Sequence, residues 1–374
     1  MLISKIEDMK TFPVSFPKAF SGIFVIWKNG EERRVTIKDI ARACGVSVST
    51  VSRVLNNRPD VSEAVRSRVM AVVEANGYIP NDSARNLVRS RSDAVGVVVR
   101  GTGNLFFSAV LKTVAREIDR AGYTMVLRYI DEDADEIKAG AILEREKKLR
   151  GLLFLGGRFD YTPAELALIG VPYVCCSYTN CFGSLGEENY SSVSIDDHLT
   201  AYLATKKLIE LGHRRIAVLP PSLCDRSISE LRYKGFCAAL KDSGIELDPA
   251  LVAETGGCFE MWETYEGMRR ILEQGTDFTA VFAFSDTTAM AAMKALEEHG
   301  RRVPDDCSVI AVDGIEVSKY VSPTLTTMVQ PAEEMGREGV RILTDAIKTG
   351  SRGHHVTLEA KLRQGASVRA IDTP

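Results

Sequence analysis

Val48, Ser49, Ser52 and Arg53 recur at helical spacing and so share one face of a helix. Those side chains suit the reading of base edges. An arginine fork donates paired hydrogen bonds to guanine, hydroxyls donate or accept, and valine offers only apolar contact, such as to a thymine methyl. This chemistry needs a short helix anchored by its other face, and Val51, Val54 and Leu55 make that face apolar. Ser47 stands where an N-cap would satisfy the free amides of the helix. Just upstream, Ile37, Ile40 and Ala41 share a helical face with Cys44 one turn on, and Gly45 allows a turn that a residue with a Cβ resists. Two short helices joined by a tight turn describe a helix-turn-helix DNA reader. Val61 to Asn76 reads as a third helix. Ser62 is its N-cap, Val65, Val69, Val72 and Val73 form its apolar stripe, and Gly77 ends it.

The charge distribution points the same way. Of 374 residues, 45% are hydrophobic, enough for two or three domains with their own cores, and the net charge is only -3. Residues 35–92 nevertheless carry nine Lys or Arg against five Asp or Glu, whereas residues 93–374 carry 32 against 41. A basic head on an acidic body fits a DNA-facing module and a body that DNA repels. The eight cysteines include the adjacent Cys175 and Cys176 with Cys181 nearby, and none has metal-site spacing. Buried reduced thiols in a reducing cytoplasm are the expectation, with no metal and no cofactor. No apolar run reaches the ~20 residues of a membrane span.

Residues 1–34 fit neither module and lack a signal-peptide layout. Gly30-Glu31-Glu32-Arg33-Arg34 is what a purine-rich ribosome-binding sequence looks like when translated, which makes Val35 a candidate native start. A genuine disordered arm is the alternative.

From Asp93 the pattern changes. Ala94 to Val99 is a continuous apolar run, as expected of a parallel strand buried on both faces. Phe107 to Ala121 reads as a helix and Tyr123 to Tyr129 as a strand. The strand signal returns at Gly151–Leu155, Pro172–Cys176, Arg215–Leu219, Ala280–Phe284 and Ser308–Val312, between helical stretches. This alternation predicts a doubly wound α/β body. Ligands in such folds lie beyond the carboxyl ends of the strands, so the residues that follow each strand are the ones to weigh.

Several motifs together resemble one family. The run from Thr36 to Asn57, TIKDIARACGVSVSTVSRVLNN, is similar to the DNA-binding domain of lactose-repressor-type (LacI/GalR) transcription regulators, and the likeness extends almost unbroken to the last residues. Asn81 to Arg89, with its Asn-x-x-Ala-Arg-x-Leu pattern, resembles the family's hinge segment. Leu211-Gly212-His213-Arg214-Arg215-Ile216-Ala217 and the stretch from Tyr320 through Gln330-Pro331 match further landmarks. The resemblance implies an all-α helix-turn-helix head at 35–80, a hinge at 81–92 and a two-lobed, periplasmic-binding-protein-like effector-binding and dimerisation body at 93–374. Lobe 1 would comprise about 93–192 and 320–348, and lobe 2 about 193–319 and 349–374. It implies a homodimeric, cytoplasmic regulator, a repressor in the first instance and not an enzyme, acting on a pseudo-palindromic DNA operator. Its small-molecule effector would be a sugar or sugar derivative, with a nucleobase or nucleoside as the alternative.

Under that reading Val48, Ser49 and Arg53 face base edges, and Thr36, Ser47, Thr50, Asn56 and Tyr78 hold phosphates. In the hinge, Asn81 and Ala84 belong to the motif and Leu87 would wedge into the minor groove. Asn104-Leu105-Phe106-Phe107 resembles the family's Asn-Pro-Phe-Phe, which places Phe106 at the effector. The proline is Leu105 here, and Gly101-Thr102-Gly103 departs from the usual preceding segment. Arg232 stands in the R-x-x-G-F pattern whose arginine grips the effector. Asp286 and Asp313 follow strands at family positions, Asp196 resembles a position near the cleft, and Trp262 lies where a stacking ring is often found. Carboxylates accept from vicinal hydroxyls, an arginine fork donates in one plane, and a ring covers the apolar side of a sugar or base. Each residue also has a plainer reading: Asp196, Asp286 and Asp313 as caps, Trp262 as packing, Arg232 as a surface arginine. Two rival classes fare worse. A periplasmic sugar-binding protein needs an export signal and no DNA head, and a nucleotide-binding enzyme needs a third glycine where Phe106 stands.

Overall fold

The computed structural model describes residues 36–55, 58–76, 78, 92–101, 105–158, 160–178, 181–256 and 259–371. The chain divides into two compact units, Met1–Arg89 and Ser90–Pro374.

The described residues of the first unit form three helices, α1 (Ile37–Cys44), α2 (Val48–Leu55) and α3 (Glu63–Ala75). The Thr36 amide and hydroxyl both donate to Asp39, at 3.0 and 2.6 Å, and so close the start of α1. Gly45 takes the left-handed conformation (φ 61°) that ends it. The Ser47 hydroxyl accepts from the Thr50 amide at 3.1 Å, which caps α2. Ile40, Ala41, Cys44, Val51, Val54, Val69 and Val72 are buried together, with Val65, Val73 and Tyr78 packed against them. The stripes read from sequence therefore meet in one small core.

The described residues of the second unit form two sheets. In chain order its elements are β1 (Ala94–Arg100), α4 (Leu105–Arg120), β2 (Thr124–Ile130), α5 (Glu136–Lys147), β3 (Gly151–Leu155), α6 (Pro163–Leu166), β4 (Tyr173–Cys176), β5 (Ser192–Ile195), α7 (Asp197–Glu210), β6 (Ile216–Leu219), α8 (Ile228–Asp242), α9 (Met261–Glu273), β7 (Ala280–Ala283), α10 (Asp286–Glu298), β8 (Ser308–Asp313), β9 (Thr326–Val329), α11 (Ala332–Thr349), β10 (His355–Leu358) and β11 (Lys361–Arg363). The first sheet runs β10-β5-β4-β3-β1-β2 and the second β11-β9-β8-β7-β6. All pairings are parallel except β11 with β9. The central strands β1, β3, β4, β7 and β8 are buried almost throughout, because helices cover both faces of each sheet.

The lobe boundaries differ from those expected. Residues 192–195 belong to the first sheet, 326–329 to the second, 355–358 to the first and 361–363 to the second. The chain thus crosses between sheets after β5, after β9 and again between β10 and β11. The expected borders at 192/193 and 319/320 cut short the first pass and assigned β9 to the wrong sheet. Strand pairing is a long-range property, and four-residue strands carry too little pattern to reveal their partners.

Helices α7 and α8 pack closely side by side. A Cβ on Gly235 would fall 2.1 Å from the backbone oxygen of His198, so only glycine fits. The next residue, Phe236, is fully buried and stacks on Phe282 at 6.1 Å. Gly235→Ala is expected to lower stability by about 1–3 kcal/mol through overpacking. Thermal unfolding measures this, and an unchanged midpoint would show the α7–α8 spacing to be slack.

Candidate functional site

In the first unit α2 presents its polar face outward. Val48, Ser49 and Arg53 are exposed, while Val51 and Val54 are buried. Arg53 reaches Asp60 at 3.5 Å, with side chains 58% and 56% exposed, an ion pair too wet to hold the guanidinium firmly. The Ser47 hydroxyl contacts those of Ser49 and Thr50 at 2.7 and 2.8 Å, so the start of α2 is a row of small polar groups. Thr36 is exposed and Tyr78 half-buried against the head core. Asn56, Asn81, Ala84 and Leu87 lie outside the described residues.

In the second unit a cleft of about 530 Å³, counted out to its open mouth, lies at the carboxyl ends of strands. From the first sheet it is lined by Arg100 at the end of β1, Glu132 after β2, Gly156 and Gly157 after β3, and Phe107 on α4. From the second it is lined by Asp225, Ser227, Ile228 and Ser229 around the start of α8, and by Phe259 before α9. The mixed polar and aromatic lining suits a small organic molecule.

The wall on the first side is built on Glu136, which is fully buried. Its carboxylate accepts from the Arg158 amide at 2.7 Å and from the Tyr161 hydroxyl, and Arg100 Nη1 lies 3.9 Å away. Burial pushes the Glu136 carboxyl above the usual range, and Arg100 only partly offsets it. A Cβ at Gly157 would lie 2.5 Å from Glu136 Oε1, so the backbone runs hard against this carboxylate.

On the other side, Arg232 is 2% exposed on the α8 turn after Ser229. Its Nε donates to Asp197 Oδ1 at 2.8 Å, Nη2 pairs with the same oxygen at 2.8 Å, and Nη1 donates to the Phe284 carbonyl and lies 3.9 Å from Asp313 Oδ1. Asp313 has the left-handed backbone (φ 121°) that only strong local constraint imposes on a side-chain-bearing residue. Its Oδ1 accepts from Gln330 Nε2 at 2.7 Å and its carbonyl from the Gln330 amide at 3.0 Å, tying β8 to the crossover after β9. Burial pushes the Asp313 carboxyl up to about 8 despite Arg232, and raises Asp197 likewise.

The structure therefore brings Arg232 and Asp313 together, with Asp197 between α7 and α8 as their partner. Other residues singled out from sequence fall elsewhere. Asp196 is exposed and its side chain caps α7 through the Leu199 amide at 2.8 Å; the buried carboxylate is its neighbour Asp197. Phe106 is buried in the core of the first sheet, and Phe107, 100° further round α4, is the ring at the cleft. Trp262 is 67% exposed and stacks on Tyr265 at 5.7 Å; the aromatic lining residue on this side is Phe259. Asp286 is fully buried and accepts from the Ile315 amide at 2.9 Å and the Thr327 hydroxyl at 2.5 Å, so it fastens α10 to β9. Sequence reasoning missed Arg100, Glu132, Gly157 and Asp225. Arg100 ends β1, and Glu132 and Gly157 lie just past β2 and β3, so the carboxyl-end rule pointed to them.

Residues 36–81 match the profile of bacterial regulatory proteins of the lacI family, and residues 205–368 match a periplasmic binding protein-like domain. The chain is 37% identical over 330 residues to the HTH-type transcriptional regulator MalR of Clostridium butyricum, which covers 88% of this chain and 97% of that protein. It is 35% identical over 331 residues to the HTH-type transcriptional regulator CelR of Thermobifida fusca, covering 87% and 95%. Among solved structures, a transcriptional regulator CelR–cellobiose complex superposes with a TM-score of 0.66 at 32% identity, over 89% of this chain and all of that one. The lac repressor dimer bound to operator and the anti-inducer ONPF superposes with a TM-score of 0.73 at 25% identity, over 90% and 100%.

Proposed function

Since the chain belongs to the lacI family of bacterial regulatory proteins, we propose that it is a transcriptional repressor whose hold on its operator is set by a sugar or sugar derivative in the cleft of the body. The protein is a DNA-binding transcription regulator and works as a homodimer on a pseudo-palindromic operator. The reading involves no catalysis and places the protein in the cytoplasm, with the DNA it regulates. No described helix is long and apolar enough to cross a membrane.

The observation that carries the reading is a division of labour within one chain. An exposed reading face, Val48, Ser49 and Arg53, stands on its own small core, and a separate two-sheet body holds a polar cleft at its strand ends. Arg232, one turn on from the cleft-lining Ser229 along α8, is buried against Asp197 and Asp313 and so braces the start of that helix where it meets the cleft. A ligand touching both sheets favours one spacing of the two over another, and the crossovers after β5, β9 and β10 carry that change.

Fluorescence anisotropy on an operator selected from random DNA tests the coupling. A sugar that raises the unfolding temperature of the body is expected to shift operator affinity by roughly 5- to 150-fold, the usual range of allosteric coupling. Operator affinity that stays constant while the sugar saturates the body would sink the effector reading.

A further inference from the structure

The charge of the cleft bears on its occupant, on the reading above that the occupant is a small-molecule effector. Carboxylates line it from both sides, Glu132 and Asp225. Among the described residues Arg100 is the one cation lining it, and its guanidinium is engaged. Nε donates to the Glu132 carbonyl at 2.6 Å and Nη1 faces Glu136. The arginines just beyond each have a carboxylate near them, closely for Arg158 and Arg232 and only loosely for the exposed Arg226. Arg158 pairs with Asp160 and Glu165 at 3.5 and 3.3 Å, Arg226 reaches Asp160 at 3.9 Å, and Arg232 holds Asp197.

The start of α8 also opens on the cleft, through Ser227, Ile228 and Ser229. A helix N-terminus is a ready backbone site for a phosphate. Here the Ser229 amide is already taken by the Ser227 hydroxyl at 3.1 Å, and the chain's own carboxylates take the two amides just before the helix. Asp225 Oδ1 accepts from the Ser227 amide at 3.0 Å and hydroxyl at 2.7 Å, and Glu230 Oε2 accepts from the Arg226 amide at 3.0 Å. Among the buried side-chain groups of the described lining residues, the one without a hydrogen-bond partner is neutral: the hydroxyl of Ser229, which is 1% exposed. The rings of Phe107 and Phe259 complete an uncharged contact surface.

We propose that the cleft selects an uncharged, hydroxyl-bearing ligand and rejects its phosphorylated form, with Asp225 and Glu132 as the residues that set this preference. A phosphate monoester brings nearly two negative charges near pH 7. Placed between two carboxylates in a partly desolvated cleft, whose one lining guanidinium among the described residues already donates to the Glu132 carbonyl, it meets like charge on both sides. A neutral hydroxyl instead donates to either carboxylate and accepts from Ser229.

Calorimetry on the full chain with matched pairs tests this: cellobiose and cellobiose 6-phosphate, ribose and ribose 5-phosphate, adenosine and adenosine monophosphate. The expected result is that a neutral member binds and its phosphate binds at least about tenfold more weakly. Asp225→Asn and Glu132→Gln should each narrow that ratio, and so should added salt, because the rejection is electrostatic. A phosphate that binds as tightly as its neutral partner overturns the proposal. Binding of adenosine alone, with the monophosphate rejected, supports the charge selection while removing the sugar reading. Silence from every pair counts against both.

Discussion

Arg232→Ala is expected to cost the body about 3–5 kcal/mol and to abolish its response to the effector. The guanidinium is buried and bridges Asp197, Asp313 and the Phe284 carbonyl. Truncation leaves two buried carboxyls without their counter-charge, which costs more than the bridge itself contributed. For a unit of this size that is a fall in melting temperature on the order of 10 °C. The pH dependence identifies the cause. Both carboxyls already titrate above their ordinary range, Asp313 at about 8, and losing Arg232 raises them further. A raised folded-state pKa favours the protonated form, so its stabilising contribution is complete below the unfolded pKa near 4 and is lost as pH climbs through the folded value. The variant should therefore lie closest to the parent at pH 4–5 and fall furthest behind at pH 8–9. Arg232→Lys keeps the charge but loses the fork and should fall in between. Parallel pH profiles for parent and Arg232→Ala would show that the arginine does not hold these carboxylates.

Arg53→Ala is expected to abolish operator preference while leaving both units folded. A bidentate arginine–guanine pair is worth roughly 1–3 kcal/mol of discrimination, and a dimer makes it twice, so the loss is roughly 30-fold to 10⁴-fold. The fold should be indifferent, because α2 is anchored by Val51 and Val54 and the Arg53–Asp60 pair is exposed at both ends. Salt dependence separates reading from grip. Removing a base-reading side chain changes which sequence is selected. Removing a side chain that neutralises a phosphate weakens binding to all sequences alike and lowers the salt slope by about one per phosphate released. If the variant still selects the same site from random DNA, Arg53 is not the reader.

The parts whose signals are local could be read from the order of residues alone. Thr36 and Asp39, Gly45 and Ser47 mark helix boundaries within four residues of their partners, and the stripe Ile40–Cys44 and Val51–Val54 needs only a period to be seen. Ala94–Val99 and Gly151–Leu155 read as buried strands because their side chains are apolar or small, and the structure extends the first by Arg100. The head, the doubly wound body and the family likeness were legible on that basis. Only the tertiary structure decided which of two neighbours faces inward or lines the cleft: Asp197 over Asp196, Phe107 over Phe106. The choice turns on about 100° of helix phase or on which carboxylate the cap consumes, and composition is blind to both. It also decided that Trp262 stacks on Tyr265 while Phe259 lines the cleft, and that Asp286 fastens α10 to β9. The strands β5, β9, β10 and β11 are three or four residues each, and their sheet membership depends on partners that are distant along the chain or across a crossover. The cleft joins Arg100 and Glu132 to Asp225, far along the chain, and what brings them together is the packing of two sheets rather than any local period.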